Sequence, residues 1–272
     1  MAKSDVIAIA AESGCVRGVR FAPRGRDGWT RTGGGFWPLE APHEGTAAEG
    51  AEQGGTLVES DKPLARALCA AKSALGAKQV VLSLPLSRLL VRVLKMPIEV
   101  RDDLTDAVTL QMDKLSPFPG EELSVGCEIL SETDNELNVF AAALPAAVFE
   151  ELGSALRIAK LHVVRTDAAV LGWFRALCGP CQLSRPGRRV LLMNPDDGWD
   201  LLVLDHGVPV LVRGLGALPD HDALLREVTL SLLNAELEAG HGALEEVLVV
   251  SKEAPSAELR ERLGTLVGAA VK

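Results

Sequence analysis

The 272-residue chain lacks two features that would direct it to a membrane or to nucleic acid, namely a long apolar run and an excess of positive charge. No stretch of about 18 uninterrupted apolar residues occurs, so we expect no direct insertion into a bilayer. The N-terminus, Met1–Asp5, has neither the basic start nor the apolar segment of a signal peptide, which predicts a cytoplasmic protein. The net charge of −9 disfavours nucleic acid and anionic membrane surfaces, because like charges repel over a Debye length.

Cysteine is also scarce, and its five residues are an odd number. We expect no disulfide framework in a domain of this size, and no structural zinc site, because zinc needs four ligands and only one CxxC is present. The pair Cys178-Gly179-Pro180-Cys181 has the spacing of a thioredoxin-like dithiol. A redox dithiol follows a strand and opens a helix, whereas here a helical pattern precedes the pair and a loop follows it. Redox chemistry is therefore not expected.

The usual catalytic signatures are missing as well: HExxH, a Walker loop, GxSxG and GxGxxG do not occur. Two groups of carboxylates remain, Asp102, Asp103 and Asp106 at a predicted helix start and Glu121 and Glu122 in a turn. Acids in these positions are usually solvated charge, and at a helix start they complement the helix dipole. The sequence therefore predicts no catalytic residue and no metal site.

Alternating strands and helices predict an α/β protein that opens on a hairpin. Strands Val6–Ala11 and Val16–Ala22 form this hairpin, and the glycine-rich tract 24–59 holds at most one short strand in a mobile loop. A helix begins at Asp61 and ends at Leu75. We predict three parts: a first lobe core at 1–83, an inserted module at 84–160 and a second lobe at 161–272.

The inserted module reads as strand, helix, strand, strand, helix, and the second lobe repeats the opening hairpin. In the module, strand Leu89–Met96 precedes a helix that starts at Asp102 or Asp103. The repeated hairpin indicates a duplicated fold. The remaining predicted elements are the hairpin Ser124–Leu130 and Leu137–Leu144, helix Ala146–Ile158, strand Leu161–Arg165, a helix from Asp167, the hairpin Val190–Met193 and Asp200–Leu204, a strand to Arg213, helix Asp220–Ala239, strand Val247–Ser251 and helix Ala257–Val267.

Four short sequence motifs in this region resemble those of a known family. They are Leu84-Pro85 and Met96-Pro97 flanking a strand, the helix end Leu115-Ser-Pro-Phe-Pro-Gly-Glu-Glu122, the strand exit Ala141-Ala-Ala-Leu-Pro145, and Asp167-Ala-Ala169 at the next helix. The chain resembles the PilM family of type IV pilus assembly and its type II secretion relative, the cytoplasmic domain of GspL. The resemblance implies a bilobal actin-like (ribonuclease H-like) fold with an inserted FtsA-type module in the first lobe.

In nucleotide-binding proteins of this fold, a hairpin turn in each lobe carries an Asp and a Gly for the magnesium ion and the phosphates. The corresponding turns here are degenerate. The first turn has Ala10 and Glu12 at those positions, and the second has Met193 and Pro195, which lacks an amide donor. We therefore expect ATP to bind weakly or not at all. The alternative is an atypical ATP–magnesium site or ATPase that uses surrogate ligands, with the degenerate loops formed by Ala10, Glu12, Ser13, Gly14, Asn194, Asp196, Asp197 and Gly198.

The resemblance implies a non-catalytic scaffold that is cytoplasmic and peripheral to the inner membrane. Its partners would be the cytoplasmic tail of a membrane-anchored platform subunit and, as a second partner, the assembly ATPase. The tail would lie as an extended peptide in the first lobe between the helix from Asp61 and the module, with Arg92 and Lys95 as contacts. Residues 101–136 carry ten acids and two basic residues, which suits a basic partner. The sequence leaves open pilus against secretion, the oligomeric state, and a longer membrane-anchored protein.

Overall fold

The computed structural model describes residues 5–12, 14–25, 28–39, 62–76, 78–117, 122–195, 198–239 and 242–272. The chain divides into two compact units. The first contains Met1–Pro85 and Ala147–Ala169, and the second contains Leu86–Ala146 and Val170–Lys272. The three-part division predicted from the sequence, with boundaries at 84 and 161, stays a prediction.

The first unit is built on a five-stranded sheet in the order β3-β2-β1-β4-β8. The central strand β1 alternates, and Ile7, Ile9 and Ala11 are fully buried on one face. β1 pairs antiparallel with β2 and parallel with β4, and α1 packs on β2 and β3. The elements are β1 (Val6–Ala11), β2 (Cys15–Arg24), β3 (Gly28–Pro38), α1 (Pro63–Leu75), β4 (Gln79–Leu84), α3 (Ala146–Ile158, its first residue in the second unit) and β8 (His162–Ala168).

The predicted module contains a three-stranded antiparallel sheet in the order β5-β7-β6, with α2 on one face. Its last predicted helix, α3, belongs almost entirely to the first unit. Val108 and Met112 of α2 are fully buried against this sheet. On the opposite face, the Asn138 side-chain amide donates to the Pro209 carbonyl at 3.2 Å, which fixes a strand of the second sheet beside the module. The elements are β5 (Leu90–Pro97), α2 (Leu104–Leu115), β6 (Leu123–Glu132) and β7 (Glu136–Pro145).

The second five-stranded sheet has the order β11-β10-β9-β12-β13, which repeats the topology of the first. Its core contains Val190, Leu201 and Val203 of the sheet with Val228 and Leu263 of the helices. The identical order of hairpin strands confirms the duplication predicted from the sequence. The elements are α4 (Ala169–Cys178), β9 (Arg188–Asn194), β10 (Trp199–Asp205), β11 (Val208–Gly216), α5 (His221–Ala239), β12 (Leu244–Ser251), α6 (Ala257–Val267) and β13 (Ala270–Val271).

Two predicted elements differ from the structure. The glycine-rich tract contains β3, an edge strand of eleven residues rather than a short strand in a loop. Its hydrogen-bonded ladder with β2 holds the backbone extended, which the glycines alone would not do. Asp167 does not start a helix. It lies in β8, where Arg165 donates to its carboxylate at 2.8 Å, because pairing with β4 extends the strand to Ala168.

Candidate functional site

The first candidate site is the turn between β1 and β2, where several described polar groups already form hydrogen bonds or an ion pair. The Glu12 amide donates to the Cys15 carbonyl at 3.0 Å, and the Leu39 amide donates to the Gly14 carbonyl at 2.9 Å. The Glu12 carboxylate accepts from the Cys15 thiol at 3.1 Å and pairs with the Arg17 guanidinium at 3.3 Å. Glu12 is thus held by its own hairpin through one carboxylate oxygen, Oε2.

The chemistry of this turn is that of a partly exposed ion pair beside a buried thiol. Burial, followed by the hydrogen bond to Glu12, raises the pKa of the Cys15 thiol to about 11, so the thiol is neutral and donates. The Arg17 guanidinium also lies 5.8 Å from the centroid of the Phe36 ring, within cation–π range. Ala10 pairs with Arg17 and Ser83 in the sheet, and its methyl side chain supplies no oxygen. Ser13 lies outside the described residues.

The second candidate site is the turn between β9 and β10, where Gly198 has a packing role. Its φ is 124°, and a Cβ placed there would lie 2.1 Å from the Gly216 carbonyl carbon. The glycine is therefore required by the close approach of the end of β11. Asn194 ends β9 opposite Ser251, and Asp196 and Asp197 lie outside the described residues.

Sequence reasoning missed Asp200, a carboxylate buried at the start of β10. Asp200 pairs with Met193 on one side and Gly214 on the other, and Leu86 lies directly over Gly214. A signal was available, because an acid two residues after a turn glycine interrupts an otherwise apolar strand. Within the described residues no group of three His, Cys, Asp or Glu side chains could hold a metal ion.

Arg92 and Lys95, the predicted partner contacts, are both exposed on the edge strand β5, but they lie on opposite faces of the module's sheet. Arg92 pairs with Ala141 on the face that α2 covers, and its guanidinium donates to the Val91 carbonyl at 2.8 Å. Lys95 pairs with Asn138 on the other face. The structure therefore does not bring the two cations to one face.

The acidic stretch of the module is mostly exposed. Asp106 and Asp113 flank Leu110 on the outer face of α2, and 57% of Leu110 is exposed. Two of the acids are neutralised: Glu132 pairs with Arg101 and Glu128 with Arg175. The outer face of α2 therefore combines an apolar centre with negative charge.

The dithiol pair lies at the C-terminal end of a helix. Cys178 ends α4, and the Cys181 amide donates to the Leu177 carbonyl at 2.9 Å, so the pair lies in the turn that terminates the helix. Burial raises the pKa of the Cys178 thiol, although Arg175 acts in the opposite direction. A helix C-terminus also disfavours a thiolate.

No helix among the described residues is long and apolar enough to cross a membrane. No protein-family model matches the chain, and no curated protein matches its sequence.

Solved structures do match. A chain of the PilM–PilN type IV pilus biogenesis complex is 17% identical with a TM-score of 0.68, over 98% of this chain and 87% of that one. A Bacteroides thetaiotaomicron protein with an actin-like ATPase fold and unknown function is 10% identical with a TM-score of 0.59, over 99% and 91%. The cytoplasmic domain of EpsL, an inner membrane component of the type II secretion system of Vibrio cholerae, is 12% identical with a TM-score of 0.54, over 97% and 94%.

These similarities show that the chain has the actin-like α/β fold, and they confirm at the level of fold the resemblance predicted from the sequence. The FtsA-type character of the inserted module stays a prediction.

Proposed function

We propose that the chain is a non-catalytic scaffold in the cytoplasmic platform of a type IV pilus or a type II secretion system, where it binds the cytoplasmic segment of a membrane subunit. The observation that carries the proposal is the backbone similarity over 98% of the chain to a component of the PilM–PilN complex. The similarity to the cytoplasmic domain of EpsL, an inner membrane component, supports the same setting.

The two hairpin turns support a non-catalytic role. Phosphate binding needs free backbone amides, and magnesium needs a free carboxylate oxygen. In the first turn the Glu12 amide is bonded to Cys15, and the Glu12 carboxylate is bonded to Cys15 and Arg17. In the second turn Gly198 is used for packing on Gly216. Among the described residues of the two turns, the contacts of Glu12 and the packing of Gly198 support the proposal.

The edge strand β5 fits an extended partner segment. In the described residues β5 forms a ladder only with β7, so a peptide strand added beside it would gain main-chain hydrogen bonds. The side chains of such a peptide alternate between the two faces, as those of Arg92 and Lys95 do. A peptide with acidic residues three positions apart would therefore meet both cations, one on each face.

The test is a pull-down from the membrane fraction of the native host with the protein as bait, read by mass spectrometry. Arg92→Glu and Lys95→Glu should each reduce capture of the same membrane subunit, and the double variant should lose it. Lys114→Glu, an exposed change of the same charge on α2, is the matched control and should capture it normally. If the folded double variant retains every protein at the wild-type level, β5 is not the docking strand.

A second partner, the assembly ATPase, is proposed for the outer face of α2. Leu110 provides an apolar contact, and Asp106 and Asp113 provide the negative charge that would attract a basic surface and set its orientation. Leu110→Asp should therefore abolish binding of purified ATPase without affecting capture of the membrane subunit. Unchanged ATPase binding would remove this assignment.

A further inference from the structure

The hairpin of β2 and β3 extends beyond the strand that precedes it. In the described residues β1 pairs with β2 only as far as Phe21. The ladder between β2 and β3 continues for three more pairs, which are Ala22 with Thr30, Pro23 with Trp29 and Arg24 with Gly28. At about 3.4 Å per residue, these pairs carry the hairpin about 10 Å past β1. We call residues 22–25 and 28–31 the hairpin tip.

Both faces of the hairpin tip are exposed to solvent. Trp29, which is 45% exposed, and the exposed Arg31 lie two residues apart on one face. Arg24 and Thr30 lie on the other face, and both are exposed as well. The hairpin tip therefore presents a large aromatic ring on one face and an arginine on each face, and these side chains are not covered by the described part of the chain.

The positive charge of the hairpin tip is not neutralised within the described residues. Asp5, directly before β1, is the acid that the pairing of β1 with β2 brings toward the tip, and it already accepts from the Arg20 guanidinium at 2.9 Å. Arg24 and Arg31 form no hydrogen bond or ion pair with the part of the chain that the structure describes. Two unpaired cations thus lie around the exposed indole.

The net charge of −9 does not describe this part of the chain. Residues 16–38 contain five arginines and one acid, whereas ten acids and two basic residues lie in 101–136, which belong to the second unit. Six further acids are in 40–61, outside the described residues. Exposed charges act mainly within a Debye length of about 8 Å at physiological ionic strength. The local positive charge therefore decides what the hairpin tip attracts.

We propose that the hairpin tip docks on the surface of an anionic lipid bilayer without spanning it. Arg24 and Arg31 contact the headgroup phosphates, which a guanidinium binds through paired hydrogen bonds. The Trp29 indole lies at the boundary between headgroups and acyl chains, the level that its apolar ring and single N–H favour. The proposal goes beyond the scaffold function and does not depend on it, because it uses neither β5 nor α2.

The positions of the two arginines favour a lipid surface over an acidic peptide. A peptide strand added to this sheet would lie beside the edge strand β3. Arg24 is on β2, the inner strand of the hairpin, and would not neighbour such a peptide. A planar surface that meets the end of the hairpin reaches the cations on both strands and both faces.

Flotation of the purified full chain with phosphatidylcholine vesicles, with and without phosphatidylglycerol, tests the proposal. The wild type should bind only the anionic vesicles, and binding should weaken as salt is added. Arg24→Gln and Arg31→Gln should each lower the partition coefficient about five-fold, and Lys114→Gln, an exposed change of the same charge on α2, is the matched control. A wild type that floats with neither vesicle, or equally with both, would overturn the proposal, as would unchanged binding of the folded double variant.

Fluorescence quenching by brominated acyl chains tests the position of the indole. Trp29→Phe should lose the quenching that the wild type shows in anionic vesicles. Trp173→Phe, which changes a tryptophan that is 44% exposed on α4, is the matched control and should keep it. Equal quenching of the two variants would show that Trp29 does not enter the bilayer. If the wild type binds poly-glutamate and no vesicle, the hairpin tip recognises an acidic protein segment and the membrane assignment is wrong.

Discussion

The turn glycines Gly198 and Gly14 provide a direct test of whether packing requires glycine in the second hairpin turn. A Cβ at position 198 would lie 2.1 Å from the Gly216 carbonyl carbon and 2.3 Å from its oxygen, and the φ of 124° is unfavourable for any other residue. Strained backbone costs about 1–3 kcal/mol, and forced overpacking costs a similar amount. Gly198→Ala should therefore lower the free energy of unfolding by about 2–6 kcal/mol.

Gly14→Ala is the matched control. A Cβ at position 14 meets no heavy atom within 4 Å, so this variant should be neutral or gain about 0.4–1 kcal/mol from the restricted unfolded chain. Urea denaturation followed by circular dichroism measures both variants, and equal slopes would show that only stability has changed. If the two variants unfold at the same urea concentration as the wild type, the packing role of Gly198 is refuted.

Two further predictions concern ATP and pH. Magnesium–ATP should leave the melting temperature unchanged, whereas a site filled at 100 times its Kd would add about 2.7 kcal/mol of stability and contradict the scaffold proposal. Lys272 above all, and also Arg189, lowers the pKa of the Glu246 carboxyl, so its contribution to stability is present at neutral pH and is lost as pH falls through that lowered pKa. The urea midpoint of Glu246→Gln should fall less on acidification than that of the wild type, whereas the control variant Asp134→Asn should follow the wild type. If Glu246→Gln shows the same pH dependence as the wild type, the assignment is wrong.

Periodicity predicted most of the elements because burial and sequence agree along these segments. In β1 the alternation of Ile7 and Ile9 with less buried residues matches the pleat of a strand. In α6 the sequence limits, Ala257–Val267, agree with the structure, because Ser256 caps the first turn and Gly268 ends the helix in the left-handed conformation. Local signals of this kind needed no knowledge of the tertiary structure.

The elements that sequence analysis missed depend on neighbouring chain segments. β3 contains Gly33, Gly34 and Gly35, which favour a loop, yet all three lie in a ladder with β2. Strand pairing therefore outweighed intrinsic preference, as is common at sheet edges. The buried position of Asp200 likewise depends on Gly214 and Leu86, which are distant in sequence.

The candidate site was predicted only in part. The degenerate residues at the two turns could be identified from the sequence, because a missing carboxylate or amide is visible in the residue type. The contacts that these turns make could not be predicted, because they depend on Leu39 and Gly216, which only the fold brings close to the turns. The opposite faces of Arg92 and Lys95 could have been foreseen, because residues three apart in a strand never share a face.

The two hairpin turns share one structural feature, a contact with the third strand of the same sheet. In each five-stranded sheet, the end of the third strand contacts the turn between the first two. In the first unit the Leu39 amide, directly after β3, bonds the Gly14 carbonyl, and in the second unit Gly216, at the end of β11, lies against Gly198. In both units, backbone of the turn thus lies against the end of the third strand. These contacts belong to the sheet itself, so each turn helps to hold its sheet together whether or not a ligand binds there.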